Sequence, residues 1–346
     1  MKKQMFAAYY DQPGPASEVL QFGPVDAPPL AYGEVRVFVH ACGLNPADVK
    51  RLAGSAPSPG EMKKGAASAA EIERSVPGDD GAGVIIEIGE GVPKTRIGQR
   101  VWVRNARVDR RYGTMASHVA VPEERAIPLP DGVGFEAGAC LGVPAVTAHY
   151  ALFADGSIEG QTVLIHGGAG GVGSTAVQLA KWGGAKVIAT VSGPEKAEIA
   201  IKCGADYVIN YRDENVTEAV LAITNGQGVD RAVDVAFGVN LAVNLDVIKT
   251  NGCLATYSSD ADDSPTIPFW RLLRKNLRVH FLVIYWLTPT YLASAIRDIS
   301  AALATHALKP VVTQVMPLRS LAAANVMVGA LSGIGNIVLV PDTEQT

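Results

Sequence analysis

Residues 162–174 read TVLIHGGAGGVGS, and this stretch decides the fold. An apolar segment typical of a strand runs directly into a glycine-rich turn, and a helix-forming segment follows from Gly173 to Trp182. Gly168, Gly170 and Gly173 have the GxGxxG spacing. The first glycine allows a tight turn, the second lets the backbone approach a diphosphate, and the third lets the helix pack on the strand, so that free N–H groups face the anion. The stretch therefore predicts a strand–turn–helix unit that binds a dinucleotide.

Strands and helices alternate through the middle of the chain at the spacing of βαβ units, which form parallel sheets. The predicted strands are Thr162–His166, Lys186–Thr190, Tyr207–Asn210, Val229–Ala236, Gly252–Tyr257 and Val279–Ile284. This pattern predicts a doubly wound parallel sheet with helices on both faces.

Residues 1–125 instead contain short strand-like runs separated by Gly and Pro, which predicts an antiparallel β domain. Near the C-terminal end an amphipathic helix, Ser320–Leu331, precedes a last strand, Asn336–Val340, and we expect this tail to rejoin the first domain. The predicted fold class is α/β, with a β domain formed by 1–128 and 306–346 and a doubly wound domain formed by 129–305.

The bulk composition favours a globular protein with a small-molecule ligand. Of 346 residues, 48% are hydrophobic and 18% are charged, which is enough for a packed core. The net charge of −4 is spread evenly, so we expect no nucleic-acid partner and no membrane partner. The four cysteines form no CxxC pair, which favours a reducing, cytoplasmic location.

The end of the second strand of the parallel sheet indicates which dinucleotide is bound. Enzymes that use NAD usually carry an acid there for the ribose hydroxyls. This chain has Ser192 and Lys196, a hydroxyl and a cation that suit a 2′-phosphate, so the sequence favours NADPH. Glu195 would suit the ribose of NADH, which remains the alternative.

The first domain offers no convincing set of ligands for a metal ion. Cys42, His40, Asp79, Asp80 and His118 do not form a tetrahedral set at the usual spacing. A serine hydrolase is also disfavoured, because no GxSxG motif occurs. We therefore expect a metal-free enzyme in which the cofactor supplies the chemistry.

Several motifs together resemble the zinc-free, zeta-crystallin-like quinone oxidoreductases of the medium-chain dehydrogenase/reductase superfamily. They are Gly43–Asp48, Pro77–Val84, Gly113–His118, Val143–Ala148, His166–Gly173, Asp206–Tyr211 and Gly335–Leu339. The resemblance covers nearly the whole chain and implies a GroES-like β domain and a Rossmann domain. In zinc alcohol dehydrogenases of this superfamily a metal-binding Cys stands at the position of Asn45, and a His–Glu pair stands at Asp79-Asp80. Their replacement here is similar to the zinc-free branch.

The resemblance also implies roles for individual residues. Asn45 would lie near the nicotinamide ribose, Thr147 near the nicotinamide, and Asn336 near the cofactor from the returning tail. Phe281 and Val283 would present backbone groups to the carboxamide. The diphosphate would be bound by Gly168, Ala169, Gly170, Gly171 and Val172, and the 2′-phosphate by Ser192, Lys196 and Tyr211.

Two segments depart from the family pattern. Many quinone oxidoreductases have a Tyr three residues before the glycine of the substrate loop, whereas this chain has Lys50 before Gly54. Lys50 or Asp48 would orient a carbonyl oxygen, or the two would form a structural ion pair. Residues 57–74 are an unusual insertion, predicted to be a surface loop, a short helix or a flap over the pocket.

The sequence therefore predicts a reductase that transfers hydride from NADPH to a quinone or an α,β-unsaturated carbonyl, with Asn45, Lys50 and Thr147 as candidate catalytic residues. Two alternatives remain open, an alcohol or aldehyde dehydrogenase and a non-catalytic, crystallin-like NADPH-binding protein. The apolar segment Phe281–Leu287 would form the sheet edge through which two subunits pair, as in the family's homodimers.

Overall fold

The computed structural model describes residues 4–56, 74–330 and 333–341. The chain forms two compact units, the first from Met1–Val143 with Pro310–Thr346 and the second from Pro144–Lys309. The predicted α/β fold class is confirmed, with a β unit and a parallel-sheet unit. Residues 57–73 of the predicted insertion lie outside the described residues.

The first unit is built around β3, the longest strand. Its strands are β1 (Gln4–Tyr9), β2 (Gln21–Asp26), β3 (Glu34–Leu44), β4 (Asp80–Ile88), β5 (Arg100–Val103), β6 (His118–Pro122), β7 (Ala126–Pro128), β14 (Val312–Pro317) and β15 (Asn336–Val340). β3 pairs antiparallel with β4, β6 and β15, and most of its residues are buried because strands surround it. β15 continues to a parallel partner, β14, so the C-terminal tail does rejoin the first unit.

Many residues in the core of the first unit are β-branched and come from neighbouring strands. Val35, Val37 and Val39 of β3 pack with Val101 and Val103 of β5. Burial of such side chains is worth roughly 1.5–3 kcal/mol each. The helices of this unit are short: Ala16–Val19, Pro46–Leu52, Phe135–Gly138 and Leu321–Gly329, with 3-10 turns at Lys94–Arg96, Glu123–Arg125 and Leu318–Ser320.

Three expectations about segment ends need correction. The first unit extends to Val143 rather than to residue 128, because the helix Phe135–Gly138 packs on β3, β4 and β5. The second unit extends to Lys309 rather than to residue 305. The helix predicted from Ser320 begins at Leu321 and ends at Gly329, and Leu331 lies outside the described residues.

The second unit is a six-stranded parallel sheet. Its strands are β8 (Thr162–Ile165), β9 (Lys186–Val191), β10 (Tyr207–Asn210), β11 (Val229–Asp234), β12 (Ile248–Thr256) and β13 (Arg278–Phe281). The order across the sheet is β10-β9-β8-β11-β12-β13. From β8 the chain adds strands toward one edge of the sheet, and from β11 it adds them toward the other edge. In such sheets, ligands bind at the carboxyl ends of the strands beside the point where this order reverses.

Helices separate these strands and cover the sheet. They are Val146–Phe153, Gly171–Trp182, Pro194–Lys202, Val216–Ile223, Phe237–Val247, Phe269–Arg274 and Pro289–Ala304, with a 3-10 turn at Ile284–Trp286 and a π-helix, Leu141–Ala145, at the junction of the units. Leu164, Ile188 and Leu254 from the strands pack against Leu241 and Leu245 from a covering helix. In the part of the chain described, no helix is both long and apolar enough to cross a lipid bilayer.

Candidate functional site

The glycine-rich stretch forms the predicted strand–turn–helix unit. β8 ends at Ile165 and the helix begins at Gly171, with Gly170 as an N-cap that carries no capping side chain. The Gly170 N–H donates to the Gly167 carbonyl oxygen at 3.0 Å, which closes the turn. Gly167 has a φ of +70°, a conformation that side chains disfavour. The first N–H groups of the helix, from Gly171 onward, have no intrahelical partner and are available to an anion.

The three glycines of the motif serve different purposes. A Cβ at Gly168 would lie 2.7 Å from the Ala189 Cβ, so this glycine lets the turn pack on β9. A Cβ at Gly173 would fall on the Gly167 carbonyl oxygen, so this glycine lets the helix approach the turn. A Cβ at Gly170 would meet only that same oxygen, at 3.5 Å, an ordinary contact. The protein itself therefore leaves open the space in front of Gly170, and a diphosphate fits there.

The residues expected to bind a 2′-phosphate lie together at the ends of β9 and β10. The Lys196 Nζ donates to the Ser192 Oγ at 2.9 Å. The main-chain N–H of Tyr211 donates to the carbonyl oxygen of Val191, the last residue of β9, at 3.0 Å. The Tyr211 side chain is about half exposed. A cation and a hydroxyl thus meet at the end of β9, and the backbone of Tyr211 is joined to the same strand end.

The predicted strand and subunit edge at Phe281–Leu287 needs correction. β13 occupies Arg278–Phe281, and a 3-10 turn follows at Ile284–Trp286. The strand stops because its register with β12 ends at Thr256 and Phe281, and the Leu282 N–H makes a last bond to the Thr256 carbonyl oxygen. β13 is nevertheless the edge strand of its sheet, as expected. Phe281 is exposed and contacts the Phe237 ring, and the backbone at Val283 is extended.

Thr147 lies in the first turn of the helix Val146–Phe153, directly after the π-helix that contains Pro144. It is buried, with 5% of its surface exposed. The π-helix is a wide, uncommon turn that often marks functional sites. The structure thus fixes the backbone on which Thr147 stands.

In the first unit Asn45 precedes the helix Pro46–Leu52 and is buried. Its Nδ2 donates to the Asp80 Oδ2 at 2.9 Å, and the Val143 N–H donates to the same oxygen at 2.8 Å. The other Asp80 oxygen, Oδ1, is buried and has no hydrogen-bond partner among the described residues. Burial raises the pKa of the Asp80 carboxyl well above its ordinary value, although the bond from Val143 opposes this. Asp80 therefore fixes the plane of the Asn45 amide.

Asp48 does not have the substrate-orienting role considered for it. Its carboxylate accepts from the Asn45 main-chain N–H at 3.1 Å and from the Arg51 guanidinium at 3.2 Å. Arg51 also bonds to Asp79, and all three charged side chains are buried. The geometry holds Asp48 inside the domain, which leaves Lys50 as the remaining candidate for orienting a carbonyl oxygen. Lys50 is half-buried on the same helix.

The positions that hold metal ligands in the zinc enzymes are engaged in these protein bonds. Within residues 4–56, 74–330 and 333–341, no group of three or more His, Cys, Asp or Glu side chains could hold a metal ion. Cys42 is buried, its Sγ lies 2.9 Å from the Thr114 carbonyl oxygen, and burial raises the pKa of its thiol.

Asn336 begins β15 in the first unit and is buried. Its Nδ2 donates to the Val311 carbonyl oxygen at 3.0 Å, and its main-chain N–H donates to the same oxygen at 2.8 Å. The amide therefore fastens β15 to the residue before β14.

The sequence analysis missed a buried polar network beside the glycine-rich turn. His166 contacts Asn244 and Thr190, and Asn244 contacts Asp234. These residues lie far apart in the sequence, and none stands in a motif that would have indicated the contacts.

Two domain-family models match the chain. The model described as the alcohol dehydrogenase GroES-like domain matches residues 31–131, and the one described as zinc-binding dehydrogenase matches residues 171–301. Each match falls within one of the two structural units.

Individual proteins match over most of their length. The quinone oxidoreductase of Pseudomonas aeruginosa is 33% identical over 259 residues, which cover 75% of this chain and 73% of that protein. The quinone oxidoreductase of Sus scrofa is 28% identical over 295 residues, 84% of each chain. A mycobacterial protein solved in complex with NADPH has a TM-score of 0.83 at 25% identity and covers 97% of this chain and 100% of its own.

Proposed function

Because this chain belongs to the quinone oxidoreductase family of the medium-chain dehydrogenase/reductase superfamily, we propose that it transfers hydride from NADPH to a quinone or an α,β-unsaturated carbonyl without a metal ion. The observation that carries the proposal is the open space in front of Gly170, beside unpaired helix N–H groups. A dinucleotide seated there supplies the hydride. The protein supplies binding, orientation and a dry site.

The pair Ser192–Lys196 supports NADPH as the preferred coenzyme. An ammonium group 2.9 Å from a hydroxyl gives a 2′-phosphate a charge-assisted bond and a neutral one. Tyr211 stands at the end of the neighbouring strand, where its ring and hydroxyl are accessible to the same group. The mycobacterial relative was solved with NADPH, which agrees with this preference.

Asn45 and Thr147 are the residues we assign to the nicotinamide end. The Asn45 amide donates one N–H to Asp80, so its second N–H keeps a fixed direction for the ribose. Thr147 offers a hydroxyl from a buried helix turn, and Phe281 and Val283 offer main-chain groups to the carboxamide. Asn336 would contribute from the tail. Protonation of the reduced substrate would come from water or from Lys50.

The proposal of metal-free chemistry rests on what the candidate ligands bind. Asp79 is bonded to Arg51, and one Asp80 oxygen accepts from Asn45 and Val143. A metal would have to displace these bonds. An alcohol or aldehyde dehydrogenase would need a metal or a strong general acid at this place.

We also propose that the protein is a homodimer that pairs through β13. Because β13 is an edge strand, its outer main-chain N–H and C=O groups can form hydrogen bonds with the same strand of a second copy. The segment around it exposes large apolar side chains, which are Ile267, Phe269, Trp270, Leu273, Phe281 and Trp286. Of these, Phe269 and Trp270 are in ring contact, and exposed apolar surface is typical of interfaces.

The experiment follows oxidation of NADPH and of NADH against 1,4-quinones, enones and simple aldehydes. We expect turnover of quinones or enones with NADPH, weaker turnover with NADH, and no loss of rate after treatment with a chelator. Metal analysis of the same preparation provides the control. Tight binding of NADPH with no turnover of any acceptor would favour the non-catalytic alternative, and a rate that depends on bound zinc would favour the dehydrogenase.

A further inference from the structure

Five residues from four segments of the second unit form a continuous hydrogen-bonded network that ends at the glycine-rich turn. Asn244 Nδ2 lies 2.8 Å from Asp234 Oδ2, and Asn244 Oδ1 lies 2.9 Å from His166 Nε2. His166 Nδ1 lies 3.3 Å from Thr190 Oγ1, which accepts from the Gly167 N–H at 3.3 Å. The four side chains of this network are all buried, with at most 4% of each residue exposed.

The direction of every bond in the network follows from the first. The Asp234 carboxylate only accepts, so Asn244 must present its NH2 group to it and its oxygen to His166. His166 Nε2 therefore carries a proton, and in a neutral imidazole ring Nδ1 is then the acceptor. Thr190 must then donate its single O–H to Nδ1, which leaves a lone pair on its oxygen for the Gly167 N–H.

Gly167 is the residue on which the diphosphate cradle depends. Its carbonyl oxygen accepts from the Gly170 N–H and is the atom that a Cβ at Gly173 would strike. The Thr190 carbonyl oxygen also accepts from the Gly168 N–H at 3.0 Å. Thr190 thus holds two consecutive N–H groups of the turn, one through its side chain and one through its backbone.

Asp234, at the other end of the hydrogen-bonded network, is also held by main-chain and side-chain bonds. Asp234 Oδ1 accepts from the Ala236 N–H and from Asn240 Nδ2, both at 2.8 Å. These bonds tie the carboxylate to the start of the helix Phe237–Val247, which follows β11. Because both ends are fixed, the orientation of the imidazole ring is set by the fold.

We propose that His166, held as the neutral Nε2–H tautomer, is a positioning residue for the diphosphate. It acts through Thr190 on the Gly167 peptide and does not itself touch the cofactor. This inference rests on the proposed binding of NADPH at the turn. It adds a specific hydrogen-bond polarity: reversal of the tautomer would remove the bond to Asn244 and would change Thr190 from the donor to the acceptor of its bond with His166.

Nitrogen-15 NMR of histidine-labelled wild-type protein tests the tautomer without any ligand. For His166 we expect Nε2 to carry a proton, seen as a one-bond N–H coupling, and Nδ1 to carry none. The His166 signals are assigned by their absence in His166→Gln. An Nδ1–H tautomer or an imidazolium at neutral pH would overturn the proposal, whatever the protein binds.

The matched pair Thr190→Val and Thr190→Ser tests the relay. Valine has the same shape without the hydroxyl, so the Gly167 N–H and His166 Nδ1 lose their partner, whereas serine retains it. Loss of a buried hydrogen bond predicts about a tenfold higher Kd for NADPH in Thr190→Val and about a twofold change in Thr190→Ser.

Adenosine 2′-monophosphate serves as the second probe, since it occupies the 2′-phosphate corner and lacks the diphosphate. We expect its Kd to be equal in wild type and Thr190→Val. Equal losses for both ligands, or unchanged NADPH binding in Thr190→Val, would contradict the relay. Absence of NADPH binding in the wild type would instead refute the proposed function, and the tautomer measurement would stand apart from it.

Discussion

Lys196 Nζ donates a hydrogen bond to Ser192 Oγ across 2.9 Å, at the point where β9 gives way to its following helix. The bond draws the ammonium group back over the strand end instead of letting it extend into solvent. Tyr211 is attached to the same strand end through the Val191 carbonyl oxygen. The Lys196–Ser192 pair and the Tyr211 backbone are therefore joined to the same end of β9.

Replacement of Lys196 by Ala tests this pair. Charge-assisted bonds contribute about 1.5–3 kcal/mol, so we expect the KM for NADPH to rise about ten- to a hundredfold. The KM for NADH should change by about twofold at most, because NADH has no 2′-phosphate. Steady-state kinetics with both coenzymes measures the difference. Lys202→Ala, at an exposed lysine of the same helix, is the control, and equal effects on both coenzymes would remove the phosphate pairing.

The two glycines Gly170 and Gly173 should respond differently to Ala. Gly170→Ala meets only an ordinary contact and has an extended backbone, so the unfolding free energy should change by less than about 1 kcal/mol. The new methyl would occupy the diphosphate space and weaken NADPH binding. Gly173→Ala strikes the Gly167 carbonyl oxygen and should cost about 1–3 kcal/mol of stability. Denaturant melts and ligand titrations of both variants measure this, and unaltered NADPH binding by Gly170→Ala would argue against the cradle.

Asp80 predicts a pH dependence of stability. Its pKa is raised by burial, so the folded state keeps the proton above pH 3.8 while the unfolded state releases it. The stability contributed by the proton is therefore complete below that pH and is lost as the pH rises toward the folded-state pKa.

Asp80→Asn mimics the protonated acid, because its carbonyl oxygen can accept from Asn45 and from Val143. We expect this variant to gain stability over the wild type as the pH rises, and the gap to close in acid. Urea denaturation of both proteins at several pH values gives the comparison. Asp80→Ala removes both hydrogen bonds, and we expect it to lower the free energy of unfolding by about 1–3 kcal/mol. If the wild type instead became more stable relative to Asp80→Asn as the pH rises, Asp80 would be ionised in the folded protein.

Trp270→Glu tests the proposed dimer. Trp270 is 64% exposed in the apolar segment near β13, and a charge there would oppose burial against a second copy. Sedimentation velocity should show the wild type as a dimer and Trp270→Glu shifted toward monomer. Val326→Glu, at an exposed valine of the first unit, should leave the dimer intact. A monomeric wild type would end the proposal.

The sequence predicts best those parts of the molecule that local chemistry determines. Gly168, Gly170 and Gly173 follow from the needs of a tight turn, and the six parallel strands follow from the alternation of apolar and helical segments. The nearness of Ser192 and Lys196 follows from one helical turn. These features need no knowledge of distant residues.

Long-range contacts could not be predicted in the same way. His166 and Asn244 are 78 positions apart, and only the packed sheet brings them within hydrogen-bond distance. Asp48 was considered with Lys50, whereas the fold pairs it with Arg51, which in turn bonds the distant Asp79. The end of β13 depends likewise on where β12 stops.

The turn around Gly167 and the corner around Lys196 follow different strands, β8 and β9. We therefore expect that replacing Ser192, Lys196 and Tyr211 together, as one cassette, would change the coenzyme preference while the turn around Gly167 stays intact. Thr190 marks the limit of that cassette, since it lies on β9 and yet serves the neighbouring turn.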